Sequence, residues 1–180
     1  MLGALKDFFW TGDNRFDPDN AEPFPGVDTL LYYLHGALHL IERRDKVAFK
    51  QVAGLGNLLE QFAASTEVPL FVSEGTAEQK FRAIRSSDYL WHCYEALRRY
   101  SGNLVVFGSS LAPQDAHIVR AVLANPGRSV AVAIYPSSPD AVILTKMHVR
   151  QILAGVNELI FYDSRTHPLG DASLTIAGGV

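Results

Sequence analysis

From residue 69 to residue 163 the chain alternates between two patterns. Residues 69–73, 104–107, 129–135 and 158–162 are short, almost uninterrupted apolar runs. Between them lie segments whose apolar residues recur at helical spacing. Thr76, with Gln79 three residues on, predicts a capped helix running through Arg85. Ser87 or Asp88 opens another, with Tyr89, Leu90, Cys93, Tyr94, Leu97 and Tyr100 on one face and Gly102 as its stop. Two more helices are predicted over 114–124, ahead of Asn125-Pro126-Gly127, and over 140–154, ahead of Gly155. Strands this apolar are expected to be buried on both faces, and strand–helix alternation implies right-handed crossovers and a parallel sheet.

Ahead of residue 69 the pattern is less regular. Residues 29–34 read as a buried strand ending at His35-Gly36. Residues 38–42 and 46–52 alternate on either side of Arg43, Arg44 and Asp45, which predicts a β-hairpin. Leu55, Leu58, Leu59 and Phe62 follow the i, i+3, i+4, i+7 rule of an amphipathic helix. Residues 1–28 are dense in turn formers, so neither helix nor strand is expected there. Their aromatics (Phe8, Phe9, Trp10, Phe16, Phe24) imply a loop held against something, such as a sheet edge. The layout is an irregular segment over 1–28, an α/β domain over 29–163 with an insert at 38–66, and a tail over 164–180.

Composition narrows the function classes. The chain has 180 residues, 48% of them hydrophobic and 19% charged, as in a soluble globular protein. A net charge of −3, with basic residues clustered no further than the pairs Arg43-Arg44 and Arg98-Arg99, speaks against a nucleic-acid partner. No apolar run is long enough for a membrane span and no secretion signal opens the chain, so a cytoplasmic protein without a membrane partner is expected. The single cysteine, Cys93, excludes an intrachain disulfide and a zinc cluster; it reads as a small buried hydrophobe or, alternatively, as a reactive thiol. No His/Asp/Glu/Cys spacing matches a metal site, so no metal is expected.

In a parallel α/β sheet, ligands bind beyond the carboxyl ends of the strands. That rule singles out Glu74, Gly108 to Leu111, Tyr135 to Ser138, and Asp163. Gly108-Ser109-Ser110 offers a turn without a Cβ, two hydroxyls and helix-opening amides, suited to phosphate or ribose oxygens. The same residues also suit an ordinary tight turn. His35 could be a general base with Gly36 leaving room for substrate, or a structural histidine bonded to backbone. Asp115 and His117 fall in the first turns of a helix, where Asp115 fits a helix-start charge.

Taken in order, these phrases resemble the sirtuin-like NAD-handling fold. His35-Gly36 is similar to the His-Gly at a sirtuin strand end, Phe71-Val72-Ser73-Glu74 to a Phe-Gly-Glu strand end, and Gly108-Ser109-Ser110-Leu111 to Gly-Thr-Ser-Leu. The apolar run 130–135 is similar to the strand leading to the adenosine. The wording Tyr-Leu-His-Gly-Ala-Leu-His-Leu (33–40) with Pro-Leu-Phe-Val-Ser-Glu-Gly-Thr (69–76) resembles still more closely a bacterial domain-of-unknown-function family, itself a distant sirtuin-like branch. The resemblance implies a Rossmann-like parallel sheet with flanking helices and NAD as cofactor. It implies His35 as the base that deprotonates a ribose hydroxyl or water as nicotinamide leaves. Gly36, Glu74, Gly108, Ser109, Ser110 and Tyr135 would then lie around the nucleotide.

Two departures bear on activity. The sirtuin zinc module needs four cysteines, so protein deacylation is not expected. No Gly-rich strand-to-helix turn precedes Thr29, so the chain resembles the second half of such a domain, incomplete at its N-terminus and with little turnover of its own. A non-enzymatic module remains the alternative, pairing with a complementing chain or a second copy through an exposed sheet edge.

Overall fold

A computed structural model of the chain describes residues 4–10, 12–21, 27–52 and 67–166. They fall into two compact units, Met1–Leu97 and Arg98–Val180. The helix expected over 55–64 lies outside the described residues.

In the first unit, β1 (Ala4–Lys6) runs parallel to β2 (Val27–Leu30). β1 is a correction to the expectation that residues 1–28 hold no strand. A three-residue strand has too little pattern to stand out among turn formers, and its stability comes from the β2 partner. Residues 14–16 do lie along a sheet edge, that of the strand Ala48–Lys50. Phe16 N donates to Ala48 O at 2.9 Å and Lys50 N to Asn14 O at 2.9 Å. Phe8, Phe9 and Phe16 fill the space behind, with ring centroids 4.7 Å apart for Phe9–Tyr89, 5.1 Å for Phe16–Tyr89 and 4.9 Å for Phe8–His92, whereas Trp10 is exposed and Phe24 lies outside the described residues. β2 itself ends at Leu30, short of the strand expected over 29–34. Tyr32 and Tyr33 leave the ladder to pack on Phe8 and His39.

The predicted hairpin is present as β3 (Gly36–Glu42) and β4 (Ala48–Lys50), antiparallel, with Lys46 in the left-handed region at φ 68°. β5 (Pro69–Phe71) pairs antiparallel with β3, giving the order β4-β3-β5. This corrects the expectation that the parallel alternation begins at residue 69. Two helices follow. In α1 (Ala77–Arg85) the predicted capping box is complete: Gln79 N donates to Thr76 Oγ1 at 3.3 Å, and Thr76 N to Gln79 Oε1 at 2.8 Å. α2 (Asp88–Arg99) buries Tyr89, Leu90, Cys93 and Tyr94 as its periodicity requires. It ends at Arg99, short of the Gly102 stop, which leaves Tyr100 exposed beyond the last turn.

The second unit carries the parallel sheet. β6 (Leu104–Val106), β7 (Ser129–Ile134) and β8 (Glu158–Asp163) lie in that order, all parallel. α3 (Ala116–Leu123) and α4 (Pro139–Ile152) are the crossovers, α4 opening on Ser138, whose hydroxyl accepts from Ala141 N at 3.2 Å. Two right-handed crossovers stepping the same way along a sheet place both helices on one face. The core bears this out: Val119 and Val122 of α3, Val130 and Val132 of β7, and Val149 and Leu153 beside them form one cluster, with Leu104, Val106, Leu159 and Phe161 packed against it. The opposite face keeps Val105 64% and Ile160 46% exposed. Burial of these strands on both faces is therefore corrected to burial on one.

Candidate functional site

The carboxyl ends of β6, β7 and β8 open into one cleft of about 340 Å³. It is lined by Phe107, Gly108, Ser109 and Ser110 after β6, by Ala133, Ile134 and Tyr135 at the end of β7, and by Thr145 and Ser164. Strand β6 reaches the cleft through a turn with two left-handed residues, Gly108 at φ 71° and Leu111 at φ 48°. Leu111 is driven into this strained position by burial of its side chain in the core. Leu111 N donates to Ser109 Oγ at 3.3 Å, and Leu111 O lies 3.3 Å from His148 Nε2 of α4. A Cβ added at Gly108 would meet nothing within 4 Å, so the turn faces open space on that side.

Beside the cleft, Pro136, Val142, Lys146, Phe161, Tyr162 and Asp163 line a smaller recess of about 150 Å³, which shares Ile134 with it. Lys146 Nζ stands 5.8 Å from the Phe161 ring centroid. Asp163 is gripped by Arg165, Nη2 to Oδ2 at 2.6 Å and Nε to Oδ1 at 3.1 Å. These hydrogen bonds hold the Asp163 carboxyl below the ordinary carboxylate range.

The lining chemistry is hydroxyl, backbone and aromatic. Three serines and a threonine offer donors and acceptors to sugar or phosphate oxygens, and Tyr135 offers a ring face. Among the described residues that line this cleft none is acidic, basic or a histidine, so these residues offer a ligand hydroxyl, backbone and aromatic contacts.

Of the residues singled out by sequence, Gly108, Ser109, Ser110 and Tyr135 meet here. His35, Gly36 and Glu74 belong to the first unit. His35 sits in the turn between β2 and β3, its carbonyl accepting from Val72 N at 2.8 Å. Gly36 follows at φ 74°, and a Cβ there would stand 1.9 Å from Leu70 O. The room at Gly36 is thus taken by the backbone of β5 instead of lying open to a substrate. Glu74 is exposed in the turn after β5, a strand of the antiparallel sheet. Thr145 and Ser164 went unrecognised in the sequence. Thr145 shares the inward face of α4 with Val142 and Val149, and a hydroxyl amid that apolar stripe was the available signal.

The first unit holds a cluster the sequence did not announce. Lys50 Nζ pairs with the buried Asp7 carboxylate at 2.5 Å, and Asp7 Oδ1 also accepts from Phe9 N at 3.2 Å. Desolvation raises the Tyr33 hydroxyl pKa; desolvation, then Lys50, lowers that of His39. Cys93 is buried and its thiol is pushed up to about 12 by desolvation, as a packing residue would be, and not a nucleophile.

One helix-bearing face, three parallel strands and a cleft at their carboxyl ends define an α/β protein. The chain belongs to the family of a domain of unknown function, DUF4917, whose family model matches residues 3–169. No curated protein and no solved structure matches it. Among the described residues no helix is long and apolar enough to cross a membrane.

Proposed function

We propose that this protein binds a nucleotide of the NAD type in the cleft at the carboxyl ends of β6, β7 and β8. The observation that carries the reading is the Gly108-Ser109-Ser110 turn: a left-handed glycine facing open space, followed by two hydroxyls, at the edge where parallel α/β sheets take ligands. The sirtuin-like resemblance of the same residues supports the choice of NAD and a Rossmann-like relation. On that reading the pyrophosphate and ribose oxygens lie along Ser109 and Ser110, and Tyr135 stands against the adenosine.

Calorimetric titration with NAD, ADP-ribose and AMP tests it. Saturable binding of NAD and ADP-ribose is expected, about 3- to 10-fold weaker in Ser110→Ala for the loss of one hydrogen bond. Failure of all three ligands to bind sinks the reading. Nicotinamide release from NAD is expected to be slight. Where the resemblance puts a glycine-rich phosphate loop after the first strand, β1 is followed by a buried carboxylate and two buried phenylalanines, Asp7, Phe8 and Phe9. Robust hydrolysis that disappears in His35→Ala would replace the binding reading by that of an NAD hydrolase.

A second reading is favoured by the bare sheet face. Val105 and Ile160 are exposed on a parallel sheet, an arrangement that ordinarily has helices on both sides. An interaction module that docks another chain on this face and on the β6 edge accounts for it. Val105→Lys would then abolish complex formation while leaving nucleotide binding intact.

A further inference from the structure

Helix α4 is apolar on the wrong side. Its inward face is set by Val149 in the core and by Val142 and Thr145 at the recess and cleft. On the opposite face Ile143, Leu144 and Met147 are 55%, 66% and 60% exposed. These three are adjacent on the helix surface at i, i+1 and i+4, and the stripe continues at both ends into charge. Asp140 lies one turn before Ile143, and Arg150 one turn after Met147; both are exposed. Arg150 is steadied by the ring of Phe161, 5.3 Å from its guanidinium carbon.

The order acid, apolar, apolar, base along one stripe is self-complementary when the helix meets a copy of itself running the other way. A twofold axis at the level of residue 145, on the exposed face of the helix, would put Asp140 opposite the second copy's arginine and Ile143 opposite its methionine, and then the same contacts again in reverse. Positions 140, 143, 147 and 150 follow the 3-4-3 spacing of a helix seam, in which facing layers of an antiparallel pair alternate in this way. We propose that α4 is a self-association surface and that its occupant is α4 of a second copy of this chain, antiparallel, with Asp140 and Arg150 closing both ends. A fourteen-residue helix is about 21 Å long, so the patch lies at the small end of specific interfaces and the dimer is a weak, concentration-dependent one. The surface is on the far side of α4 from Thr145, so the pairing leaves the cleft open and stands independently of what the cleft binds.

Sedimentation velocity across a wide concentration range reads this directly. The wild-type chain is expected to shift from monomer to dimer as concentration rises. Leu144→Glu should hold it monomeric, and Asp140→Arg or Arg150→Asp alone should weaken the dimer about tenfold or more by placing like charges opposite each other. The double exchange Asp140→Arg with Arg150→Asp should restore it, because the facing pairs are again of opposite sign. Circular dichroism checks that each variant folds: Leu144 is exposed, while Arg150→Asp also gives up the contact with the Phe161 ring. A chain that stays monomeric at every concentration overturns the proposal. So does a dimer that survives Leu144→Glu, or one that is lost in Val105→Lys and kept in Leu144→Glu, or single charge variants that the double exchange fails to rescue.

Discussion

Two glycines in this chain have nearly the same φ and opposite surroundings. Gly36 has φ 74° and Gly108 has φ 71°. Gly36 closes one turn and Gly108 opens another, and the sequence alone suggests a ligand at both. At Gly36 a Cβ would lie 1.9 Å from Leu70 O, because β5 crosses directly over it to pair with β3. At Gly108 it would meet nothing within 4 Å. A left-handed glycine therefore has two separate causes. One is close approach of the chain to itself, which is a matter of folding. The other is a backbone shape that leaves space, which is available to function. The φ angle alone cannot tell them apart; what stands on the Cβ side does.

The largest effect expected from this difference is at Gly36. Gly36→Ala combines the left-handed penalty of about 1–2 kcal/mol with an overpacking cost of about 1–3 kcal/mol against a backbone atom that cannot swing away. Urea unfolding should show a loss of about 3 kcal/mol or more, or no folded first unit. Asparagine tolerates the left-handed region, so Gly36→Asn relieves the first penalty and leaves the second. It should remain strongly destabilised, and a near-native Gly36→Asn would break the comparison.

Next in size is the ion pair that anchors the segment beside that turn. Asp7→Ala leaves the Lys50 ammonium half-buried without its carboxylate and Phe9 N without its acceptor. A loss of about 1–3 kcal/mol is expected in the same unfolding measurement. Lys50→Met, which removes the charge and keeps the stem, should cost more than Asp7→Ala if the stranded carboxylate, the better buried partner, is the harder to solvate. Equal costs would place the pair in a wetter setting than its geometry indicates.

At Gly108 only the backbone term applies. Gly108→Ala should cost about 1–2 kcal/mol of stability, and Gly108→Asn less. Both should weaken NAD binding, because each fills space that opens on the cleft. If Gly108→Ala destabilises as much as Gly36→Ala, the turn is held by contacts that its open Cβ side does not show. If both variants bind NAD as the wild type does, the space at Gly108 is not where the ligand lies.

The contrast also explains what could be read without coordinates. The three parallel strands, their two crossover helices and the Thr76–Gln79 cap are local in cause: short apolar runs, helical periodicity, a side chain bonding three residues away. All were legible. The Gly108-Ser109-Ser110 turn was legible for the same reason, since strand, turn and helix are consecutive. What failed was tertiary. Pro69-Leu70-Phe71 is too short for its period to show whether its neighbour is parallel or antiparallel, and Ala4-Leu5-Lys6 becomes a strand only beside Val27–Leu30. Val105 and Ile160 are apolar whether or not anything covers them. Gly36 reads equally well as open space and as close approach, and only Leu70, distant in sequence, decides.

The smallest effect is a pH dependence, and it probes the crowded side of the comparison. His39 lies on β3, the strand that Gly36 opens, and its ring packs at 5.1 Å on Tyr33. Desolvation, with the Lys50 ammonium adding to it and Asp7 partly opposing, lowers its pKa from the ordinary 6.5. The unfolded chain then takes up a proton at a pH where the folded chain does not. Stability from this group is therefore fully present above 6.5 and is lost as pH falls from there through the folded-state value. Urea midpoints at pH 7.5 and 5.5 should differ more for the wild type than for His39→Gln, which cannot titrate. Lys50→Met should also narrow the difference, because it removes a cation that disfavours the second positive charge. A wild-type slope equal to that of His39→Gln would mean that water reaches the ring freely. The space around β3 would then be less tightly closed than the lack of room for a Cβ at Gly36 implies.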